Sequence, residues 1–238
     1  MNQAVERISG LLAQNRFAQV VTLGSEMTMF ARRNAAYREL INTADLVVPD
    51  TVGVVYAARL LGCPMPERVA GIELVERLCA GCATSGDSVF LLGGAAGVAD
   101  RAAAALQADH PGLRIAGTQH GYFDASEEPA IAARIRESGA RLVLVALGFP
   151  RQEFWIRRCA AALGAVTCMG VGGTLDVISG KSARAPRSAR RLGLEWLYRL
   201  VREPRRLGRQ LALPQFAVLV ALQAMSGRRG HASASSGQ

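Results

Sequence analysis

Apolar runs of strand length recur along the chain at QVVTL (19–23), DLVVP (45–49), SVFLLGG (88–94), RIAGTQ (114–119), RLVLVALG (141–148) and AVTCMGVGG (165–173). Between them the apolar positions take helical spacing, in SEMTMFARRNAAYRELINTA (25–44), GVVYAARLLG (53–62), AGVADRAAAALQADH (96–110), EEPAIAARIRESGA (127–140) and FPRQEFWIRRCAAAL (149–163). Strand-then-helix alternation of this kind predicts an α/β fold: one mostly parallel sheet with helices on both faces. In such sheets ligands bind beyond the carboxyl ends of the strands, so the residues just after each apolar run are the first candidates for chemistry.

The alternation stops at Gly180, and the pattern changes character. Residues 181–210, KSARAPRSARRLGLEWLYRLVREPRRLGRQ, are basic and amphipathic, followed by the apolar run LALPQFAVLVALQAM and a tail, GRRGHASASSGQ, whose composition predicts disorder. The expected organisation is therefore a sheet domain over 1–180, a basic amphipathic appendage over 181–226 and a disordered tail over 227–238.

Charge sharpens that division. The formal net charge is +9, yet residues 1–180 carry 16 basic and 17 acidic groups, while 181–210 carry ten basic groups against two acids. A nearly neutral body with one basic segment points to a dedicated anionic partner. On a helical wheel Arg199, Arg202, Arg206 and Arg209 share one quarter, with Trp196, Leu197, Leu200, Val201 and Leu207 opposite. That arrangement describes a segment lying on an anionic membrane surface, and arginine also suits bidentate contact with a diphosphate. Pro204 divides the segment or bends it.

The N-terminal stretch MNQAVERISGLLAQNRF lacks the apolar core of a secretory signal, and no run reaches the length needed to span a bilayer, so a cytoplasmic location is expected. Five scattered cysteines fit a reducing compartment. Only Cys79 and Cys82 have ligand spacing, with no second pair to complete a zinc site.

Several strand-end residues can carry chemistry, and each has a plainer reading. Asp50 closes DLVVPD, where a partly desolvated carboxylate serves as a general base or caps the following helix. Thr22 lies near the end of QVVTL, either with its hydroxyl on the rim or as an ordinary β-branched strand residue. Gly93 and Gly94 begin a glycine-rich turn, LLGGAAGVAD, that suits either a phosphate or a tight turn. Its GGxxG spacing is not the GxGxxG dinucleotide fingerprint. Gln152 and Glu153 follow the strongest strand and can hydrogen-bond a sugar or uracil, or cap the helix they begin. In QHGYF (119–123), His120 reads as a loop residue that shapes a pocket.

The order of the motifs TADLVVPDTVGVVYAARLLG, PERVAGIEL, VFLLGG, QHGYF, ALGFPRQEFW and GVGGTLDVISGKSARAPRSARRLGLEWLYRLVREPRRLGRQ resembles the WecG/TagA/CpsF glycosyltransferase family over roughly residues 17–215. The resemblance implies a single Rossmann-like domain with a C-terminal appendage that completes the active site and touches the membrane. It implies transfer of N-acetylmannosamine, its uronic acid or a related hexose from a UDP-sugar to a polyprenyl-diphosphate-linked saccharide at the inner membrane face. By the same resemblance Asp50, Thr22 and Gln152 are the catalytic residues, and Arg68, in the RVAG motif, with Arg199, Arg206 and Arg209, binds substrate; Gly93, Gly94, Tyr122 and Glu153 are read as substrate-binding from their places at the strand ends. Three positions depart from the family's usual pattern: Thr51 where Gly follows the Asp, Gly24 where Asn stands near the Thr, and Glu73 where Asp is commoner.

The expected chemistry is an inverting displacement in which Asp50 deprotonates the acceptor and an appendage arginine stabilises the departing diphosphate. No two aspartates lie two apart, so the DxD pair that holds a divalent metal in many glycosyltransferases is missing, and no cofactor or metal is expected. An NAD enzyme is disfavoured by the glycine spacing, and a nucleic-acid-binding protein by the lack of a binding motif; no nucleic-acid partner is expected. An appendage that must dock raises the question of a homo-oligomer.

Overall fold

The computed structural model describes residues 1–63, 65–183, 185–186, 197–198 and 212–234, the last segment with side chains to residue 226. Six strands form one sheet: β1 (Ala18–Leu23), β2 (Leu46–Pro49), β3 (Ser88–Gly93), β4 (Arg114–Gln119), β5 (Leu142–Ala146) and β6 (Thr167–Gly170). Their order is β2-β1-β6-β5-β3-β4, and every neighbouring pair from β1 through β4 is parallel. Each corresponds to one of the six apolar runs. The fold is α/β and Rossmann-like, as the alternation of patterns predicts.

The helices are α1 (Asn2–Ala13), α2 (Ser25–Arg33), α3 (Ala35–Asn42), α4 (Val52–Leu60), α5 (Gly71–Ser85), α6 (Val98–Asp109), α7 (Glu128–Glu137), α8 (Arg151–Leu163), α9 (Thr174–Ile178) and α10 (Ala212–Ala234). The sequence pattern does not single out α1, α5 or α9. It also reads 25–44 as one helix, whereas the chain breaks at Asn34. That residue takes an extended conformation and its Oδ1 accepts from the Tyr37 N–H at 2.9 Å, which starts α3 with an N-cap. Helix α10 carries the chain past residue 226, where the composition places the start of a tail.

By density of contacts the chain divides into two compact units. The first comprises 1–22, 34–48 and 69–184 and contains most of the sheet. Its core lies on both faces, because alternate side chains of a strand point opposite ways. Leu142 and Leu144 of β5 join the cluster beneath α1, α5 and α6, while Val143 and Val145 join the cluster beneath α7 and α8. All four are fully buried, and each contributes on the order of 2 kcal/mol of transfer free energy. Cys79 and Cys82, the pair at ligand spacing, sit on α5 inside the first cluster, where burial pushes their thiols up to about 12 and about 11.

The second unit is assembled from 23–33, 49–68 and 185–238. Phe216 of α10 packs with Met29 of α2 and Ala57 of α4. Gly53 permits the close approach of α4 to α2: a Cβ there would lie 2.7 Å from Ser25 Oγ, though only at ordinary contact distance, 3.7 Å, from the Phe216 ring. Arg33 donates to the Gln215 side chain at 3.1 Å. The opposite stripe of α10, Val218, Leu222 and Met225, is exposed, as are Tyr56, Leu60 and Leu61 around the end of α4. No helix among the described residues is long and apolar enough to cross a membrane.

Replacing Asn34 with alanine removes the cap between α2 and α3. The expected cost is about 1 kcal/mol, read as a lower urea midpoint with an unchanged slope.

Candidate functional site

The strand registers bring the carboxyl ends of the sheet to one level. Val21 pairs with Gly170, Gly170 with Val145, Val145 with Leu92, and Leu92 with Gln119. One step further along each strand stand Thr22, Val171, Ala146, Gly93 and His120. The chain leaves β3 toward β4 on one side and β5 toward β6 on the other, so the topological switch point falls between the ends of β3 and β5.

At that switch point Gly93 has φ +135°, and a Cβ there would drive into the Ala146 backbone. Only glycine allows the end of β3 to lie this close to β5. Gly94 then turns the chain, donating to Ala146 O at 3.2 Å and accepting from Gly121 N at 2.8 Å. Helix α6 follows, with Gly97 as its N-cap and no side chain capping its first amides. The loop after β4 is therefore tied to the turn after β3.

A residue that the sequence reading passes over holds this loop. Arg151, first in α8, donates to Gly121 O at 3.0 Å and to Phe123 O at 3.1 Å, with its guanidinium 4.8 Å from the Phe123 ring centroid. Between those two anchored residues Tyr122 projects outward, 76% exposed, and His120 is exposed beside it.

At the neighbouring strand, Gln152 and Glu153 are buried, at 3% and 1% exposure. Gln152 Nε2 donates to Glu153 Oε1 at 2.6 Å, and Gln152 Oε1 accepts from Gly172 N at 3.0 Å. Neither side chain caps α8. They press on the end of β6, where a Cβ on Gly170 would lie 2.7 Å from Gln152 Nε2 and 3.0 Å from Glu153 Oε1. The carbonyl of the same glycine accepts from Thr22 Oγ1 at 2.8 Å, and Thr22 is buried.

Two further polar residues close around Glu153. Gln19 of β1 donates from Nε2 to the Glu153 backbone carbonyl at 3.1 Å. Tyr37 of α3, fully buried between the rings of Phe149 and Phe154, is a titratable neighbour of the Glu153 carboxyl. Burial pushes the Glu153 carboxyl up to about 7, with hydrogen bonds from Gln152, from its own backbone and from Tyr37 acting the other way. Burial, then the neighbouring carboxylate, raises the Tyr37 hydroxyl above its ordinary range.

In the second unit Asp50 follows β2. Its N–H donates to Leu23 O at 2.9 Å, and its carbonyl accepts from Arg68 Nε at 2.5 Å. The N-cap position of α4 is Thr51, which makes no side-chain cap bond. Thr51 Oγ1 instead lies 3.1 Å from Ser25 Oγ. Two of the departures from the family pattern meet here, since a Cβ on Gly24 would touch Thr51 Cγ2 at 3.4 Å. The larger residue at 51 thus faces the smaller one at 24. Glu73 lies in the first turn of α5. Arg199, Arg206 and Arg209 lie outside the described residues.

Comparison with known proteins agrees with the motif order. The sequence model of the glycosyl transferase WecG/TagA/CpsF family matches residues 1–230. A relative from Bacillus spizizenii, N-acetylglucosaminyldiphosphoundecaprenol N-acetyl-beta-D-mannosaminyltransferase, is 36% identical over 209 residues, spanning 88% of this chain and 80% of that protein.

A buried acid whose folded value is raised favours the fold while protonated. That advantage is complete below about 4.5 and is lost as the pH rises through about 7. Glu153→Gln cannot ionise, so its stability relative to wild type should improve between those two values and level off above them. Unfolding curves collected from pH 4 to 8.5 check this.

Proposed function

The chain belongs to the WecG/TagA/CpsF glycosyltransferase family and is a hexosyltransferase of cell-surface polysaccharide synthesis; from that premise we propose that it transfers an N-acetylmannosaminyl or related hexosyl group from a UDP-sugar to a polyprenyl-diphosphate-linked saccharide. The acceptor class is the one that the Bacillus relative's name describes. The observation that carries the reading is Asp50. It is a carboxylate immediately after a sheet strand, and its backbone is held on both sides by Leu23 and Arg68.

The acceptor hydroxyl attacks the anomeric carbon and gives its proton to Asp50. The bond from that carbon to the β-phosphate oxygen breaks, its electron pair goes to the phosphate, and UDP leaves. One displacement inverts the anomeric centre. Arg199, Arg206 and Arg209 neutralise the departing diphosphate, the task that a metal held by a DxD pair performs elsewhere. This reading is metal-independent. Support for donor binding comes from the turn at Gly93 and Gly94, which leads into the uncapped N-terminus of α6, a fitting place for phosphate. The exposed Tyr122, between backbone atoms that Arg151 anchors, offers a flat face for the base or sugar. Thr22 and Gln152 line the end of β6, with the buried Glu153 behind them.

The second unit supports a peripheral place on the inner face of the membrane. Val218, Leu222 and Met225 form an exposed apolar stripe on the helix that follows the arginine-rich segment in sequence, a combination suited to an anionic lipid surface.

Two measurements test the scheme. In an assay of UDP release, Asp50→Asn and Arg206→Ala should each lose about a hundredfold or more in kcat while EDTA leaves the wild type unchanged. Full activity in the Asn variant, or complete loss with chelator, contradicts it. In flotation with vesicles containing phosphatidylglycerol, Val218→Glu/Leu222→Glu should lose most of the bound fraction while still releasing UDP from the UDP-sugar when given a water-soluble acceptor analogue.

A further inference from the structure

The family resemblance makes Gln152 catalytic, and the transfer scheme leaves the acid beside it without a task. Glu153 is 1% exposed and too enclosed to touch a sugar nucleotide without rearrangement, yet an ionisable group this deep in the sheet unit is costly unless something depends on it. Its surroundings show what does. The Gln152 amide makes two hydrogen bonds of opposite sense, donating to Glu153 and accepting from Gly172 N. An ionised carboxylate only accepts. It therefore requires the amide to present nitrogen to Glu153 and oxygen to the Gly172 N–H.

We propose that Glu153 is a positioning residue: its carboxylate fixes the orientation of the Gln152 amide and, through it, holds the Gly172 N–H and the loop after β6 in the form that the transfer reaction uses. The proposal rests on the glycosyl-transfer reading and extends it to one residue. If Glu153 is protonated, the carboxyl can donate, the amide can turn over, and its NH2 then faces the Gly172 N–H, leaving two donors opposed. Such a reversal is expensive in a site closed to water.

The groups packed around the carboxyl do not blur this switch. Tyr37, from α3, is the titratable side chain facing it, and its own raised value keeps it a donor across the range in which Glu153 changes state. Gln19, from β1, bonds the backbone carbonyl of Glu153 and is neutral. β6 contributes Gly170, which has no side chain. The Glu153 value of about 7 puts both states within reach of ordinary conditions.

The test combines spectroscopy, which needs no substrate, with kinetics. In wild-type protein labelled with nitrogen-15, the Gly172 amide and the Gln152 side-chain amide should shift together with a midpoint near pH 7, and in Glu153→Gln neither should titrate. With UDP-N-acetylmannosamine and a synthetic polyprenyl-diphosphate N-acetylglucosamine, wild-type kcat should rise through the same midpoint. Glu153→Gln should lose roughly ten- to hundredfold in kcat, show a flat profile there and change the donor KM far less. Resonances that stay still from pH 5.5 to 8.5 in the wild type, or a variant that keeps the wild-type pH profile, overturn the proposal. If the resonances titrate as expected but the wild type neither binds UDP nor releases it from any UDP-sugar, the hold of Glu153 on Gln152 stands and the transfer reading falls.

Discussion

The carboxyl rim of the sheet depends on the missing side chain at Gly170. A single Cβ there would collide with the Gln152 amide and the Glu153 carboxyl, so this position decides whether α8 can press its first turn onto the end of β6. The same residue's carbonyl takes the Thr22 hydroxyl from β1. Two residues on, the Gly172 N–H takes the Gln152 oxygen. Three elements distant in sequence thus share one short piece of backbone, and each fixes the others. The glycine at the end of β3 does the same for the turn and loop next to it, by allowing contact with Ala146.

Much of this architecture is visible in the sequence because the central strands are buried on both faces. A strand such as LVLVA has nowhere to place a polar residue, so it reads as an unbroken apolar run, and the loops that follow it are marked in advance. Helix ends are harder. Asn34 interrupts 25–44 without disturbing the apolar spacing, because a cap is one side chain acting on one amide. Helix α5 opens on Gly71 and carries Gly81, so its pattern is diluted.

The site divides in the same way. Position puts Asp50, Thr22 and Gln152 at or near strand ends, each with a plainer reading beside it, and the order of the family's motifs is what singles them out. The supports behind them are hidden. Gln19 and Glu153 are 134 residues apart, and Tyr37 reaches Glu153 from a helix whose own spacing gives it only a core role. The one signal available was Gln19 itself, a polar residue in a strand that is otherwise apolar up to Thr22. Arg151 looks like any basic residue at the start of a helix until its two carbonyl partners are seen. Burying an acid beside these residues weakens the fold at neutral pH, and natural proteins keep such groups where function needs a fixed polar geometry rather than maximal stability.

The second unit is drawn from three separated stretches, and this orders events during synthesis. Helices α2 and α4 emerge from the ribosome about 150 residues before α10 does. At typical elongation rates that is a delay of roughly 8 to 30 s. Through that interval Met29 and Ala57 have no Phe216 to cover them, while β3 to β6 are made and the sheet gains its neighbours. Helix α10 thus follows all six strands, so a growing polypeptide completes its sheet before it acquires the helix whose exposed stripe is proposed for membrane contact.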